Sequence, residues 1–232
     1  MKKLFALLLA LPLFAHAGEA EVKKAAEAFF DGRAKVDAVR KTGVMGLYEV
    51  QIGSDVLYMD EKGQYAFFGE VVDTKSRTNL TEERKNKLSQ IKFSDLPLNM
   101  AIKHVRGNGK RVFASFEDPN CGYCKKFARE TQGLTDVTMY IFPYPILGPD
   151  SNEKTKNVLC SADPLKTWND WMINGVVPPL TSKCNVDVDK YVALGQKLNV
   201  RGTPNFFLSD GSRIPGAVPQ AQLEARLNAL AK

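Results

Sequence analysis

The chain has 232 residues, of which 44% are hydrophobic and 25% are charged. This composition can form one large or two modest globular domains, and it excludes fibrous and intrinsically disordered proteins. The net charge of +6 comes from 32 basic and 26 acidic residues, which are interspersed along the chain. Nucleic-acid-binding proteins usually cluster their basic residues on one face, so no nucleic-acid partner is expected.

The first 17 residues have the three parts of a secretory signal peptide. Lys2 and Lys3 precede an apolar run over 4–14, and Ala15 and Ala17 supply the small residues of a cleavage site. We therefore expect export with cleavage after Ala17. The apolar run is shorter than the roughly 20 residues that span a membrane, so stable membrane insertion is not expected.

The segment 18–78 has the pattern of a small α+β domain. Apolar residues at helical spacing over 19–41 predict one or two amphipathic helices. Strand-like runs at 46–52, 56–59 and 65–72 predict a small antiparallel sheet. Because edge strands are templates for pairing with another chain, we predict that this domain mediates dimerisation.

A linker helix is predicted over 79–97, where cap-like and acidic residues open a polar helical pattern that Pro97 ends. The remaining chain, 98–232, alternates strands with helices and closes with a hairpin and a helix. Strands are predicted at 111–116 and 137–142, helices at 121–132, 153–175, 187–198 and 220–231, and the hairpin at 205–214. This order predicts an α/β domain with a helical insertion.

The sequence Cys121-Gly122-Tyr123-Cys124 lies between a predicted strand and a predicted helix. Thiol-disulfide exchange needs a thiolate that attacks a disulfide and a second thiol that resolves the mixed disulfide. Cys121 follows the predicted cap residue Asn120, where free amide groups and the helix dipole stabilise an anion, so it is predicted to attack. Cys124 lies one turn later on the apolar face and is predicted to resolve.

The alternative interpretation of this motif is a short structural disulfide or half of a zinc site. Zinc needs two more ligands at similar spacing, whereas Cys160 and Cys184 are far apart and His104 is the only histidine after the signal sequence. No metal and no cofactor are therefore expected. Cys160 and Cys184 are expected to form a structural disulfide that closes a loop of about 25 residues.

Four charged residues flank the motif. Lys125 and Lys126 could lower the pKa of Cys121, but a solvated helix face is the simpler interpretation. Glu117 and Asp118 could accept the proton of Cys124, although an aspartate before a proline is also ordinary turn chemistry. These alternatives stay open at the level of sequence.

The Cys121–Cys124 motif, followed by Val200-Arg201-Gly202-Thr203-Pro204, resembles the thioredoxin superfamily. Over nearly the whole mature chain, including 53–58, 191–195 and the separate cysteine pair, the sequence is similar to the DsbC/DsbG family of periplasmic disulfide isomerases. The resemblance implies a thioredoxin-like fold for 98–232 and a cis peptide bond before Pro204. It also implies a set of substrate-binding residues: Gly122, Tyr123, Thr203 and Pro204.

The resemblance further implies a periplasmic homodimer that rearranges disulfides in misfolded exported proteins and acts as a chaperone. A membrane reductase of the DsbD type is the implied electron donor. The Gly122-Tyr123 dipeptide favours isomerases over DsbG-like proteins and DsbA-like oxidases, which typically carry a proline there. An oxidoreductase of either kind and a non-enzymatic holdase are the alternatives. Residues 117–120, Trp168 and Trp171 depart from the family pattern, which leaves redox potential and substrate preference open.

Overall fold

The computed structural model describes residues 17–181 and 184–231. The described chain forms two compact units, and the boundary between them follows Leu88. The predicted signal peptide lies outside the described residues except for Ala17, which begins the first helix. Within the described ranges, no helix is both long enough and apolar enough to cross a membrane.

The first unit consists of a helix, α1, packed on a four-stranded antiparallel sheet. Strand order is β1-β2-β3-β4, and the core between helix and sheet is formed by small and aliphatic side chains with one tyrosine. The elements are α1 (Ala17–Phe30), β1 (Ala38–Lys41), β2 (Tyr48–Ile52), β3 (Asp55–Met59) and β4 (Ala66–Phe67). The predicted antiparallel sheet is confirmed.

The helix predicted over 19–41 is wrong in its second half. Asp31 and Gly32 both adopt positive φ angles, of 48° and 73°, and this left-handed pair ends α1. The chain then turns back, and Ala38 pairs with Gln51 in the sheet. The reason is tertiary, because an exposed strand with mixed polarity has no period of its own that distinguishes it from a helix.

A short antiparallel ladder joins β5 (Val72–Asp73) to β6 (Thr78–Asn79), and α2 (Leu80–Leu88) follows directly. The buried carboxylate of Glu49 holds α2 to the sheet: Arg40 Nη2 lies 2.5 Å and Arg84 Nε 2.8 Å from its oxygens. Burial alone raises the pKa of Glu49, but the two guanidinium groups hold it below the usual value.

The linker helix is shorter than predicted, since α2 ends at Leu88 and two single 3-10 turns, Phe93–Asp95 and Leu98–Met100, follow. The backbone N–H of Ile91 donates to the Gly211 carbonyl at 3.2 Å. A hydrogen bond to a distant part of the chain therefore replaces the next helical one, which no local pattern predicts.

The second unit is built on a five-stranded sheet with the order β11-β10-β8-β9-β7. The pair β8 and β9 is parallel and the other neighbours are antiparallel. The strands are β7 (Ile102–Arg106), β8 (Arg111–Glu117), β9 (Val137–Pro143), β10 (Asn205–Leu208) and β11 (Arg213–Pro215). The edge strand β7 was not expected, because only two of its five residues, Ile102 and Val105, are apolar and they do not alternate with polar ones.

Helices cover both faces of this sheet. They are α3 (Gly122–Glu130), α4 (Pro149–Leu159), α5 (Pro164–Asn174), α6 (Asp189–Lys197) and α7 (Gln220–Leu230). One face packs Phe113 and Phe206 against α3, α5 and α7, whereas the other packs Phe116 and Phe207 near α6. This arrangement agrees with the predicted α/β domain with a helical insertion.

The helical stretch predicted over 153–175 is two helices. Asp163 caps α5 by accepting a hydrogen bond from the Lys166 N–H, and Pro164 occupies its first turn, so a new helix starts there. In α6, Gly195 lies against Tyr144, whose ring would be 2.3 Å from any added Cβ atom. The close approach of helix and ring requires glycine at this position.

Candidate active site

The two cysteines of the motif lie at the start of α3, where β8 ends. Cys121 is the N-cap of the helix, and its Sγ accepts a hydrogen bond from the Cys124 N–H at 3.3 Å. The predicted cap, Asn120, is therefore wrong by one residue. The Asn120 amide instead donates to Asp150 Oδ2 at 2.7 Å and to Ser151 Oγ at 3.0 Å, which ties the turn to α4.

The position of Cys121 stabilises a thiolate. Hydrogen bonds from the Cys124 thiol, the Thr203 side chain and the amide groups of Tyr123 and Cys124 outweigh the cost of burial and lower the pKa of Cys121 to about 5. The neutral thiol donates to the Thr203 carbonyl at 3.3 Å, and ionisation gives up this one bond. At neutral pH the Cys121 sulfur is consequently an anion.

Cys124 has the opposite environment. Its side chain is fully buried, whereas Cys121 is 5% exposed, so only Cys121 retains accessible surface. Burial first, and then the nearby Cys121 and Glu117, raise the pKa of Cys124 far above its ordinary value. Both sulfurs are free thiols in this structure, and their unequal acidity separates an ionised thiol from a protonated one.

Glu117, the last residue of β8, is 2% exposed and interacts electrostatically with both cysteines. Burial, and to a smaller extent the charge on Cys121, raise its pKa to about 7. A carboxyl group with such a pKa exchanges protons near neutral pH. The sequence flagged Glu117 only as one of two alternatives, because its burial depends on the helices packed above the sheet.

Asp118 is the other alternative, and its contacts are those of a structural residue. Its buried carboxylate accepts hydrogen bonds from Asn120 N–H, Ser151 Oγ–H and the N–H groups of Ile146 and Leu147, at 2.7 to 2.9 Å. Four donors leave the group no free acceptor position for proton transfer. Asp118 thus joins the turn before Cys121 to the loop before α4.

Thr203 and Pro204 lie beside Cys121, although about 80 residues separate them in the sequence. The peptide bond between them is cis, as the resemblance implied. The Thr203 carbonyl reaches Cys121 Sγ at 3.3 Å. Gly122 is exposed and Tyr123 is 69% exposed, so the motif presents an aromatic ring to solvent two residues after the ionised thiol.

Cys160 and Cys184 form a disulfide that spans a sequence separation of 24 residues. Cys160 is the C-cap of α4, so the bond attaches the segment after α5 to the end of that helix. Among residues 17–181 and 184–231, no group of three or more His, Cys, Asp or Glu side chains could hold a metal ion.

The sequence interpretation missed one part of the site. Trp171 on α5 donates from Nε1 to the Pro119 carbonyl at 2.6 Å. The ammonium groups of Lys125 and Lys154 lie 3.7 and 4.9 Å from the centroid of its ring. Lys125 is therefore a cation stacked on an aromatic ring, whereas Lys126 pairs with Glu130 on the solvated face. The sequence showed the tryptophan but could not show what it touches.

The comparisons with known proteins agree with this geometry. A model of the thioredoxin-like domain matches residues 98–231, and a model of the disulfide bond isomerase protein N-terminal domain matches residues 13–82. A probable thiol:disulfide interchange protein DsbC from Bordetella pertussis is 50% identical over 192 residues, which cover 83% of this chain and 68% of that protein. The chain belongs to the DsbC family.

Two further comparisons cover more of the matched protein. The thiol:disulfide interchange protein DsbC of Escherichia coli K12 is 29% identical over 236 residues, which cover 98% of this chain and 96% of that protein. A crystal structure of a disulfide interchange protein from Neisseria gonorrhoeae is 38% identical, with a TM-score of 0.56, and covers 59% of this chain and 99% of that one.

Membership in the DsbC family and the thioredoxin-like fold indicate that the chain is a periplasmic protein disulfide isomerase, which acts by thiol-disulfide exchange. The match to the N-terminal domain of disulfide bond isomerases supports a homodimer. The fold expected from the sequence, a small α+β domain followed by a thioredoxin-like domain, is confirmed.

Proposed function

We propose that Cys121 is the attacking thiolate and Cys124 the resolving thiol of an enzyme that rearranges non-native disulfides in exported proteins. One observation carries the proposal. The Cys121 sulfur accepts a hydrogen bond at the N-cap of α3, and the pKa of this thiol is about 5. A thiolate present at neutral pH is the species that attacks disulfides.

In the first step, the Cys121 thiolate attacks one sulfur of a substrate disulfide. A bond forms between Cys121 and that sulfur, and the other substrate sulfur leaves as a thiolate. The released thiolate then attacks a second disulfide of the substrate, and the sulfur freed there attacks the mixed disulfide, which releases the Cys121 thiolate and leaves the substrate with a new pairing. This cycle is isomerisation, and it consumes no electrons.

When the mixed disulfide persists, Cys124 resolves it. Cys124 loses its proton and attacks Cys121, so the cysteines become a disulfide and the substrate leaves reduced by two electrons. The raised pKa of Cys124 makes a proton acceptor necessary, and Glu117, whose pKa is about 7, is the buried group suited to that role. A membrane reductase of the DsbD type then supplies two electrons to restore the dithiol.

Substrate binding is assigned to four residues around the sulfur: Gly122, Tyr123, Thr203 and Pro204. The exposed Gly122 and Tyr123 and the Thr203 backbone beside Cys121 support this assignment. The backbone of Thr203 can pair with an extended substrate segment as an added strand would, while the Tyr123 ring offers an apolar contact. Both interactions are independent of the substrate's sequence, as rearrangement of many different proteins requires.

The remaining assignments concern the whole chain. We assign cleavage of a signal peptide after Ala17, dimerisation to 18–78, a linker to 79–97 and catalysis to 98–232, with the Cys160–Cys184 bond in a structural role. The partners are a second copy of the chain, misfolded disulfide-containing exported proteins and the membrane reductase. Chaperone activity accompanies isomerisation.

A trapping experiment tests the roles of the cysteines. In Cys124→Ala, mixed disulfides on Cys121 cannot be resolved and should accumulate in growing cells, where mass spectrometry of the adducts identifies substrates and reductase together. Cys121→Ala is the matched control and should yield no adducts. Absence of adducts in Cys124→Ala, with the protein folded and exported, would contradict the proposal.

A second experiment separates the isomerase from its alternatives. The reduced dimer should restore activity to scrambled ribonuclease in a glutathione buffer, and Cys121→Ala should abolish this activity. A holdase would keep its full benefit in Cys121→Ala. A dedicated oxidase would instead reoxidise reduced ribonuclease rapidly and fail to correct the scrambled form, so the pair of substrates distinguishes all three.

A further inference from the structure

Five residues form a closed circuit of contacts around the turn that leads into Cys121. The Trp171 indole donates to the Pro119 carbonyl at 2.6 Å, and the Lys154 ammonium lies 4.9 Å from the Trp171 ring centroid. Lys154 pairs with Asp150, which accepts from the Asn120 amide at 2.7 Å. Asn120 follows Pro119, so the circuit closes. We call these residues the Trp171 network.

The hydrogen bond from Trp171 restrains the backbone carbonyl of Pro119. Proline has no N–H, so its carbonyl is the one hydrogen-bonding group of its backbone. Trp171 is half-buried and holds this carbonyl from α5, an element remote in sequence. The residue two positions before Cys121 is thereby anchored to the helical insertion and not only to its own strand.

Two cations in turn hold the indole ring. Lys125 Nζ lies 3.7 Å from its centroid and comes from α3 itself, one turn after Cys121, while Lys154 comes from α4. A cation over the face of an indole ring is attracted by the ring's quadrupole, so both contacts restrain the position of the ring. Trp171 is thus held between the helix that begins at the thiol and the helix whose Asp150 holds Asn120.

The turn anchored in this way sets the geometry that stabilises the thiolate. The Cys121 N–H donates to the Asp118 carbonyl at 3.1 Å, and Cys121 Sγ accepts from the Cys124 N–H at 3.3 Å. The sulfur contact depends on where the turn places the Cys121 backbone relative to the first amides of α3. A rotation of the Pro119 peptide would move Cys121 away from those amides.

We propose that Trp171 is a positioning residue that holds the turn before Cys121 in the geometry in which the sulfur meets the amide groups of α3. The inference rests on the proposed role of Cys121 as the attacking group. It assigns a function to the helical insertion, which supplies Trp171, Lys154 and Asp150 and so controls the acidity of the Cys121 thiol through the backbone of the preceding turn.

The test compares Trp171→Phe with Trp168→Phe. The first removes the indole N–H but keeps an aromatic face for the lysines, and the second makes the same substitution one turn earlier in α5, where the ring packs in the core. The readout is the pH midpoint of iodoacetamide alkylation of the reduced protein, with mass spectrometry placing the adduct on Cys121. Thermal unfolding of each variant measures stability separately.

We expect Trp171→Phe to raise the midpoint by about one pH unit, a roughly tenfold loss of acidity. Trp168→Phe should lose at least as much stability while its midpoint stays within about 0.3 pH units of wild type. A midpoint in folded Trp171→Phe equal to that of wild type overturns the proposal. An equal shift in both variants also overturns it, because general loosening then suffices.

Asn120→Ala is the second variant, and it opens the circuit at its other end without changing an aromatic core residue. It should raise the midpoint in the same direction, and it decides the question if Trp171→Phe does not fold. The same measurements distinguish failure of this proposal from failure of the proposed function. A wild-type midpoint near the ordinary value for cysteine refutes the role of Cys121, whereas a low wild-type midpoint that neither variant moves refutes only the role of Trp171.

Discussion

Replacement of Glu117 by glutamine should make the second unit more stable at alkaline pH and slower as an enzyme. Glu117 is buried, and its pKa of about 7 exceeds the ordinary glutamate value of 4.5. The difference of about 2.5 between the folded and unfolded pKa corresponds to about 3 kcal/mol. Glutamine has nearly the same shape as the protonated acid and carries no charge at any pH.

The sign follows from which state holds the proton longer. The folded protein keeps Glu117 protonated up to about pH 7, whereas the unfolded chain loses that proton near pH 4.5. Stability is therefore undiminished below about pH 4.5 and falls as the pH rises through about 7. Glu117→Gln removes this loss, so the variant should match wild type within about 1 kcal/mol at pH 4 and exceed it by about 3 kcal/mol at pH 8.5.

The assay is urea unfolding of wild type and Glu117→Gln under the same reducing conditions, with tryptophan fluorescence as the signal. The chain has two tryptophans, Trp168 and Trp171, and both lie in α5, so the signal reports the second unit alone. Glu130→Gln is the matched control, because this glutamate is exposed and its surface ion pair with Lys126 contributes at most about 1 kcal/mol. A stability difference between Glu117→Gln and wild type that does not change with pH refutes the reasoning.

The same variant tests the catalytic role of Glu117. Resolution of a mixed disulfide by Cys124 should slow by roughly 10- to 100-fold near neutral pH. This range reaches the lower end of the rate enhancement that one general base usually provides. Formation of the mixed disulfide by Cys121 should change little, because that thiol is already ionised. Stopped-flow measurement of the two steps with a model disulfide separates them, and equal slowing of both would refute the assignment.

Three further predictions follow from individual contacts. The alkylation midpoint of Cys121 should lie at about pH 5 in the reduced protein and rise in Cys124→Ala, because the Cys124 thiol is the largest of the donors that lower that pKa; a midpoint that stays unchanged in the variant contradicts this. Asp118→Ala should destabilise the second unit by about 3 to 5 kcal/mol, since four buried donors lose their acceptor, and urea unfolding measures the loss. Simultaneous replacement of Cys160 and Cys184 by alanine should cost about 3.5 kcal/mol for a loop of this length, whereas Cys121 should keep its alkylation midpoint.

Local signals in the sequence were sufficient for the elements and for the chemistry of the motif. Residues within a window of about ten positions were enough to predict strand Arg111–Glu117, the start of α3 at the motif and the apolar face of that helix. The different roles proposed for Cys121 and Cys124 follow from their places on one helical turn. Such inferences succeed because caps, turns and periodicity act between near neighbours in the chain.

The extent of some elements could not be predicted in this way. Strand Ala38–Lys41 was expected to be helical, and α2 was expected to continue beyond Leu88. In the first case pairing with β2 decided the conformation, and in the second the Ile91 N–H bonds to Gly211. Both conformations are decided by hydrogen bonds to another element of the fold, which override weak local preferences.

The sequence by itself determined that a Cys-x-x-Cys motif opens a helix after a buried strand in a chain that carries an export signal. Tertiary structure alone decided what surrounds the motif: Thr203 beside Cys121, the burial of Glu117, four donors on Asp118, and Trp171 on Pro119. The physical reason is that acidity depends on burial and on hydrogen bonds from every packed element. Those elements meet only when the chain has folded.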